Sequence, residues 1–224
     1  MSAIVPPGTR LTAGRLGILY PVLILGILVV AAVATFGDFI WYTYGVRHSI
    51  AAGLVHGALL LTAVGGVLGA ASGRLLRGLP IGAIAGIGGA VSYYVLVAVM
   101  DRRTYGSAIP AAWVIMWLLL AALEGRWLRA PTHRTVASIA VRGVAAAVLS
   151  GVAFYLVLNT LWGRRPDGGR NYLLQFVAWA FAWTPGLLAL SVGESGGRES
   201  APSQTTSKTA AGAPERDVDQ DLIR

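Results

Sequence analysis

Residues 17–36 read GILYPVLILGILVVAAVATF, a run with no Asp, Glu, Lys, Arg or His. A bilayer core of roughly 30 Å takes about 20 apolar residues of helix, so this run alone is long enough to cross one. It exceeds the 7–15-residue apolar core typical of a secretory signal. Although the small residues Ala31-Ala32-Val33-Ala34 lie near its end, it reads as a retained helix. Similar runs follow at 50–71, 80–100, 110–123, 140–161 and 172–192. The third stops at the charged Asp101-Arg102-Arg103, and the fourth is short unless it extends past Glu124.

Composition agrees with these runs. Hydrophobic residues make up 55% of the 224-residue chain and charged residues 12%, and mean hydropathy is +0.65. Soluble domains carry about 25% charged residues; half that supply cannot clothe a particle in water. The expected fold class is all-α, a polytopic transmembrane helical bundle of about six spans over 1–192. Residues 193–224 change character. They are rich in Gly, Ser, Thr, Ala and Pro, lack apolar periodicity, and are expected to be a disordered tail. The opening MSAIVPPGTRLT is expected to be disordered as well.

The net charge of +8 divides unevenly: the tail holds four basic and six acidic residues, which leaves +10 on residues 1–192. Arginine beside apolar spans speaks for topology control and contact with anionic lipid, not for nucleic acid. With the N-terminus cytoplasmic, inner segments hold Arg10, Arg15, Arg74, Arg77, Arg126, Arg129, Arg134 and Arg142. Outer loops hold Arg47, Arg102, Arg103, Arg164, Arg165 and Arg170. Eight against six favours both termini in the cytoplasm, and the arginine bias with the Ala-, Gly- and Arg-heavy composition leads to the expectation of a bacterial inner membrane. The outer arginines are candidate contacts for headgroups or anions. Trp41 and Trp162 are expected at the outer interface and Trp127 at the inner one.

Several chemistries drop out. With no Cys there are no disulfides, thiol nucleophiles or Cys-ligated clusters. The chain has no HExxH zinc motif, and its one lysine, Lys208, lies in no phosphate-binding loop. His48 and His56 are eight residues apart, about 12 Å along a helix, too far to share a haem iron. No cofactor or metal is implied.

Polar side chains inside a span are costly without partners, and each is therefore a candidate site. Here they are His56, Tyr94, Asn159 and Gln175, all in the outer halves of their spans, with Tyr93 beside Tyr94. The segment Phe36–His48, containing Asp38, Trp41 and His48, suits a short helix lying in the headgroup plane. The first two helices form a hairpin, across which Asp38 can approach His56. Asp38, Trp41, His48, His56, Tyr94, Asn159 and Gln175 are thus the candidate ligand-binding residues. The competing reading is that His56 and Asn159 hydrogen-bond between helices while Gln175 caps a helix end. Glu124 and Arg142, on the inner side, are expected to snorkel to headgroups.

Glycines recur at spacing four: Gly53 and Gly57, Gly65 and Gly69, Gly82 and Gly86. Close backbone approach at such pairs serves either packing of the second helix on the third, or an interface with a second copy or another membrane protein. Pro185 is expected to kink the sixth span. The leading functional expectation is a non-enzymatic membrane component: a scaffold, assembly or regulatory subunit. The alternatives are a small-solute or proton-coupled transporter with an outward polar cup around His56 and Asp38, and a membrane enzyme acting on lipid headgroups.

Overall fold

The computed structural model describes residues 9–46, 49–100, 105–128, 135–162 and 171–191. Among them there are six long α-helices and no strands: α1 (Thr9–Thr43), α2 (Ile50–Ala71), α3 (Leu75–Val99), α4 (Ala108–Leu123), α5 (Val136–Trp162) and α6 (Tyr172–Ser191). All six are long and apolar enough to cross a membrane, α4 when counted with the π-helical turn Glu124–Leu128 that continues it. The chain is a multi-pass membrane protein. The 193–224 tail, expected to be disordered, lies outside the described residues.

Helix boundaries follow local chemistry. Ser49 Oγ accepts from the Ala52 N–H at 3.2 Å at the start of α2. Thr135 Oγ1 does the same for Ser138 at α5, and Asn171 Oδ1 for Leu173 and Leu174 at α6. These side chains satisfy donors that a helix N-terminus leaves open. Gly45 and Gly73 turn the chain at φ +66° and +71°, a region that favours glycine.

Two boundaries depart from the sequence reading. α1 begins at Thr9, inside the stretch expected to be disordered, because no proline interrupts the chain between Pro7 and Pro21. It also runs on to Thr43, so Gly37–Thr43 continues the membrane-crossing helix and does not lie in the headgroup plane. The apparent obstacle was Asp38; its carboxylate is hydrogen-bonded to α6, so water is not needed to solvate it. α6 is helical through Pro185, which lies inside it.

Successive helices pack antiparallel in a ring, α1 to α6 in order, and α6 returns against α1. The end where α1, α3 and α5 finish is called distal below. The α2–α3 contact is the most extensive. Gly57 lies on Gly86, Gly65 on Gly78 and Gly82, and Gly69 on Gly78, backbone against backbone. Gly53 lies under the Tyr94 ring. The ring has a filled interior: Leu61, Val64, Ile81, Trp117, Leu120, Trp183 and Leu187 are all essentially inaccessible. The outside is apolar too, with Leu25 65% and Leu59 62% exposed. That inverted surface is what a hydrocarbon solvent requires.

At the opposite, proximal end, Arg74 Nη1 donates to the Leu128 carbonyl at 2.7 Å, tying the α2–α3 turn to the π-helical turn. Glu124 starts that turn and is only 2% exposed. It therefore does not snorkel to headgroups as expected. Its position on the inward stripe of α4, one turn beyond Leu120, turns it into the fold.

Candidate functional site: a polar clasp beside an aromatic core

The inward stripe of α1 reads Leu23, Ile27, Val30, Ala34, Asp38, Trp41, at spacings of three and four. On α2 it reads Gly53, His56, Leu60, Val64, Val67, and on α6 Gln175, Trp179, Ala182, Gly186, Leu190. Each polar residue thus takes an inward position on an otherwise apolar stripe. Because the helices are antiparallel, Asp38, His56 and Gln175 reach the same depth near the distal end.

They meet there. Asp38 Oδ2 accepts from Gln175 Nε2 and, at 2.7 Å, from the Trp179 indole N–H. Gln175 and Trp179 are one helical turn apart, so one face of α6 presents both donors to one oxygen. His56 comes from the other side. Its ring lies against Gly37, where any Cβ would overlap it, and its centroid is 5.9 Å from that of Trp41. Gly37 is the chain neighbour of Asp38, so the His56 ring packs beside the residue that carries the carboxylate. The clasp therefore joins α1, α2 and α6 at the seam that closes the ring. Phe39 and Tyr172 meet edge to face on the same seam, with centroids 5.4 Å apart.

Of the residues singled out from sequence, Asp38, Trp41, His56 and Gln175 are brought together. Tyr94 is placed apart: its hydroxyl donates to the Ser49 carbonyl at 3.2 Å, bracing the start of α2 against α3. Asn159 lies on α5, facing a different cleft, with Trp179 between it and the clasp. His48 and the arginines at 47, 102, 103, 164, 165 and 170 lie outside the described residues. Among the described residues, no three His, Asp or Glu side chains converge to hold a metal.

The sequence reading missed the aromatic core beneath the clasp. Trp113 and Trp117 of α4 pack with Trp179 and Trp183 of α6, at centroid distances between 5.1 and 6.3 Å. Phe154 of α5 lies 4.6 Å from Trp179. These separations fall within the usual range for offset and tilted aromatic pairs. The signal was present: the four tryptophans form two pairs at spacing four, which puts each pair on one helix face. Trp117 and Trp183 are inaccessible, away from the interfaces where membrane tryptophans concentrate. Gly186 makes the packing feasible, because a Cβ there would overlap the Trp117 ring and lie 2.5 Å from Ser150 Oγ.

The chain matches no protein-family model, no curated protein and no solved structure.

Proposed function

We propose that this membrane protein is a non-enzymatic component of its membrane: a scaffold, assembly or regulatory subunit. The observation that carries the reading is the engagement of Asp38. Its carboxylate receives two donors from α6 on the closing seam, so the most reactive-looking polar group serves to hold the ring together. Such hydrogen bonds in membranes contribute about 0.6–2 kcal/mol each, enough to matter in a marginally stable bundle. The packed tryptophan core below it supports the same reading, since the ring interior is filled with side chains.

A second reading has one observation in its favour. The His56 ring packs on Gly37, the chain neighbour of Asp38, across the α1–α2 hairpin, the placement expected of a proton-coupled site. One experiment separates the two. The full chain is reconstituted in liposomes with a trapped pH-sensitive dye, and wild type is compared with His56→Ala and Asp38→Asn. The component reading expects no protein-dependent proton flux and near-normal partner co-purification for His56→Ala. Proton flux that His56→Ala abolishes would replace it with the transporter reading.

Arginine placement supports the orientation that goes with this proposal: both termini in the cytoplasm, with the distal end, clasp included, facing outward. The Arg-, Ala- and Gly-rich composition supports a bacterial inner membrane. Reporter fusions at each terminus, one active only inside the cell and one only outside, test the orientation.

A further inference from the structure

We propose that the cleft between α4 and α5 seats one acyl chain of a glycerolipid from the distal leaflet, with the Trp113 indole N–H donating to that lipid's ester carbonyl. The cleft is about 490 Å³ and reaches inward to Trp113, Phe154 and Trp179. That is the size of a small-molecule pocket. Its rim on α5 carries Val148, Val152 and Leu156, each at least half exposed. The mouth therefore opens sideways onto hydrocarbon, where the amphiphiles of the bilayer are the available ligands.

Three features select a glycerolipid. The first is an orphaned donor at the cleft: the indole nitrogens of Trp113, Trp117 and Trp183 are all buried with no hydrogen-bond partner, but of the three only Trp113 lines this cleft, and Trp179 Nε1 is held by Asp38. An unsatisfied N–H is expensive where water cannot reach it. The donor lies at the cleft, since a Cβ built on the lining residue Gly151 would meet Trp113 Nε1 at 4.0 Å and nothing else. The second is a polarity gradient. Asn159 stands at the distal mouth, Trp113 sits about 8 Å along α4 from its distal start, and the lining below is apolar down to Ala147. Headgroup, ester and acyl chain follow one another in that order. The third is length. Asn159 to Ala147 spans about 18 Å of α5, close to the depth of one leaflet of a core roughly 30 Å thick. A helix of a second copy fits less well, because of the small lining residues Ala147 and Gly151 the first is buried, and the exposed rim beside them carries Val148, Val152, Tyr155 and Leu156, which hold a second backbone away.

The test uses the delipidated full-length protein in detergent and native mass spectrometry. The probes are palmitoyl-oleoyl phosphatidylglycerol and its ether-linked analogue, which has the same chains and headgroup but no ester carbonyl. The wild type is expected to retain one ester lipid most tightly, with the ether analogue weaker by about three- to five-fold, the worth of one membrane hydrogen bond. Trp113→Phe should erase the ester–ether difference. Gly151→Phe, whose side chain enters open space in the cleft, should remove the tight lipid, while Val144→Phe on the outward face of α5 should retain it. Equal retention by Gly151→Phe and wild type overturns the proposal, as does an ether analogue that binds as well as the ester. Preferential retention of an isoprenoid quinone, or a dimer that Gly151→Phe dissolves, assigns the cleft to another occupant and also overturns it.

Discussion

Two glycine-to-alanine substitutions, chemically identical and both inside membrane helices, should change stability in opposite directions. A Cβ at Gly65 would lie 2.7 Å from both Cα and N of Gly82 and would overlap the Gly78 carbonyl oxygen. Carbon atoms in contact sit about 3.5–4.0 Å apart, so the shortfall is about 1 Å. All the obstructing atoms are backbone, and no rotamer change relieves them. α2 and α3 must separate, and a gap of 0.5–1 Å costs each facing atom pair a quarter to a half of its attraction. Overpacking of this kind costs about 1–3 kcal/mol, here at the upper end. Alanine recovers about 1 kcal/mol of helix propensity, which leaves Gly65→Ala about 2 kcal/mol less stable than wild type. Gly151→Ala meets only Trp113 Nε1, at 4.0 Å, and pays no such penalty. It should be stabilised by about 0.5–1 kcal/mol. Reversible unfolding in mixed micelles, titrated with a denaturing detergent, measures both against wild type. If Gly65→Ala is as stable as Gly151→Ala, the α2–α3 glycine seam is not in backbone contact and the packing argument fails.

Further predictions follow from the clasp and the aromatic core. Asp38→Ala should cost about 2 kcal/mol by stranding two α6 donors, and Asp38→Asn, which keeps an acceptor, clearly less; a double-mutant cycle with Gln175→Ala that shows no coupling would contradict the clasp. Gly37→Ala should destabilise by about 1–2 kcal/mol because it collides with the His56 ring, and His56→Ala in the same chain should recover most of that loss. A double variant no more stable than Gly37→Ala would show that the imidazole is not what Gly37 accommodates. Gly186→Ala should displace the Trp117 ring and reduce the near-ultraviolet circular dichroism of the tryptophan cluster while the far-ultraviolet spectrum stays helical. An unchanged aromatic spectrum would refute that contact.

The class of this protein was legible in its sequence because the bilayer imposes a length and a polarity on every helix that crosses it. Six apolar runs, five of them about 20 residues long and only the fifth carrying a charge within it (Arg142), together with too few charges for a wet surface admit few other architectures. Asp38, His56 and Gln175 were legible as candidates because an isolated polar residue in such a run demands an explanation. Where they go was not legible. The register between helices comes from side-chain packing across the ring, which no single stripe encodes: Asp38 meets α6 because α6 returns against α1, and Asn159 faces away because α5 presents it to a different cleft. Trp179 was overlooked for the same reason. On sequence it is an apolar residue in an apolar helix; only in the folded ring does its N–H bind a carboxylate on one side while its ring closes a lipid-facing cleft on the other. Periodicity tells which face of a helix turns inward, but the partner it finds there depends on contacts made across the whole chain.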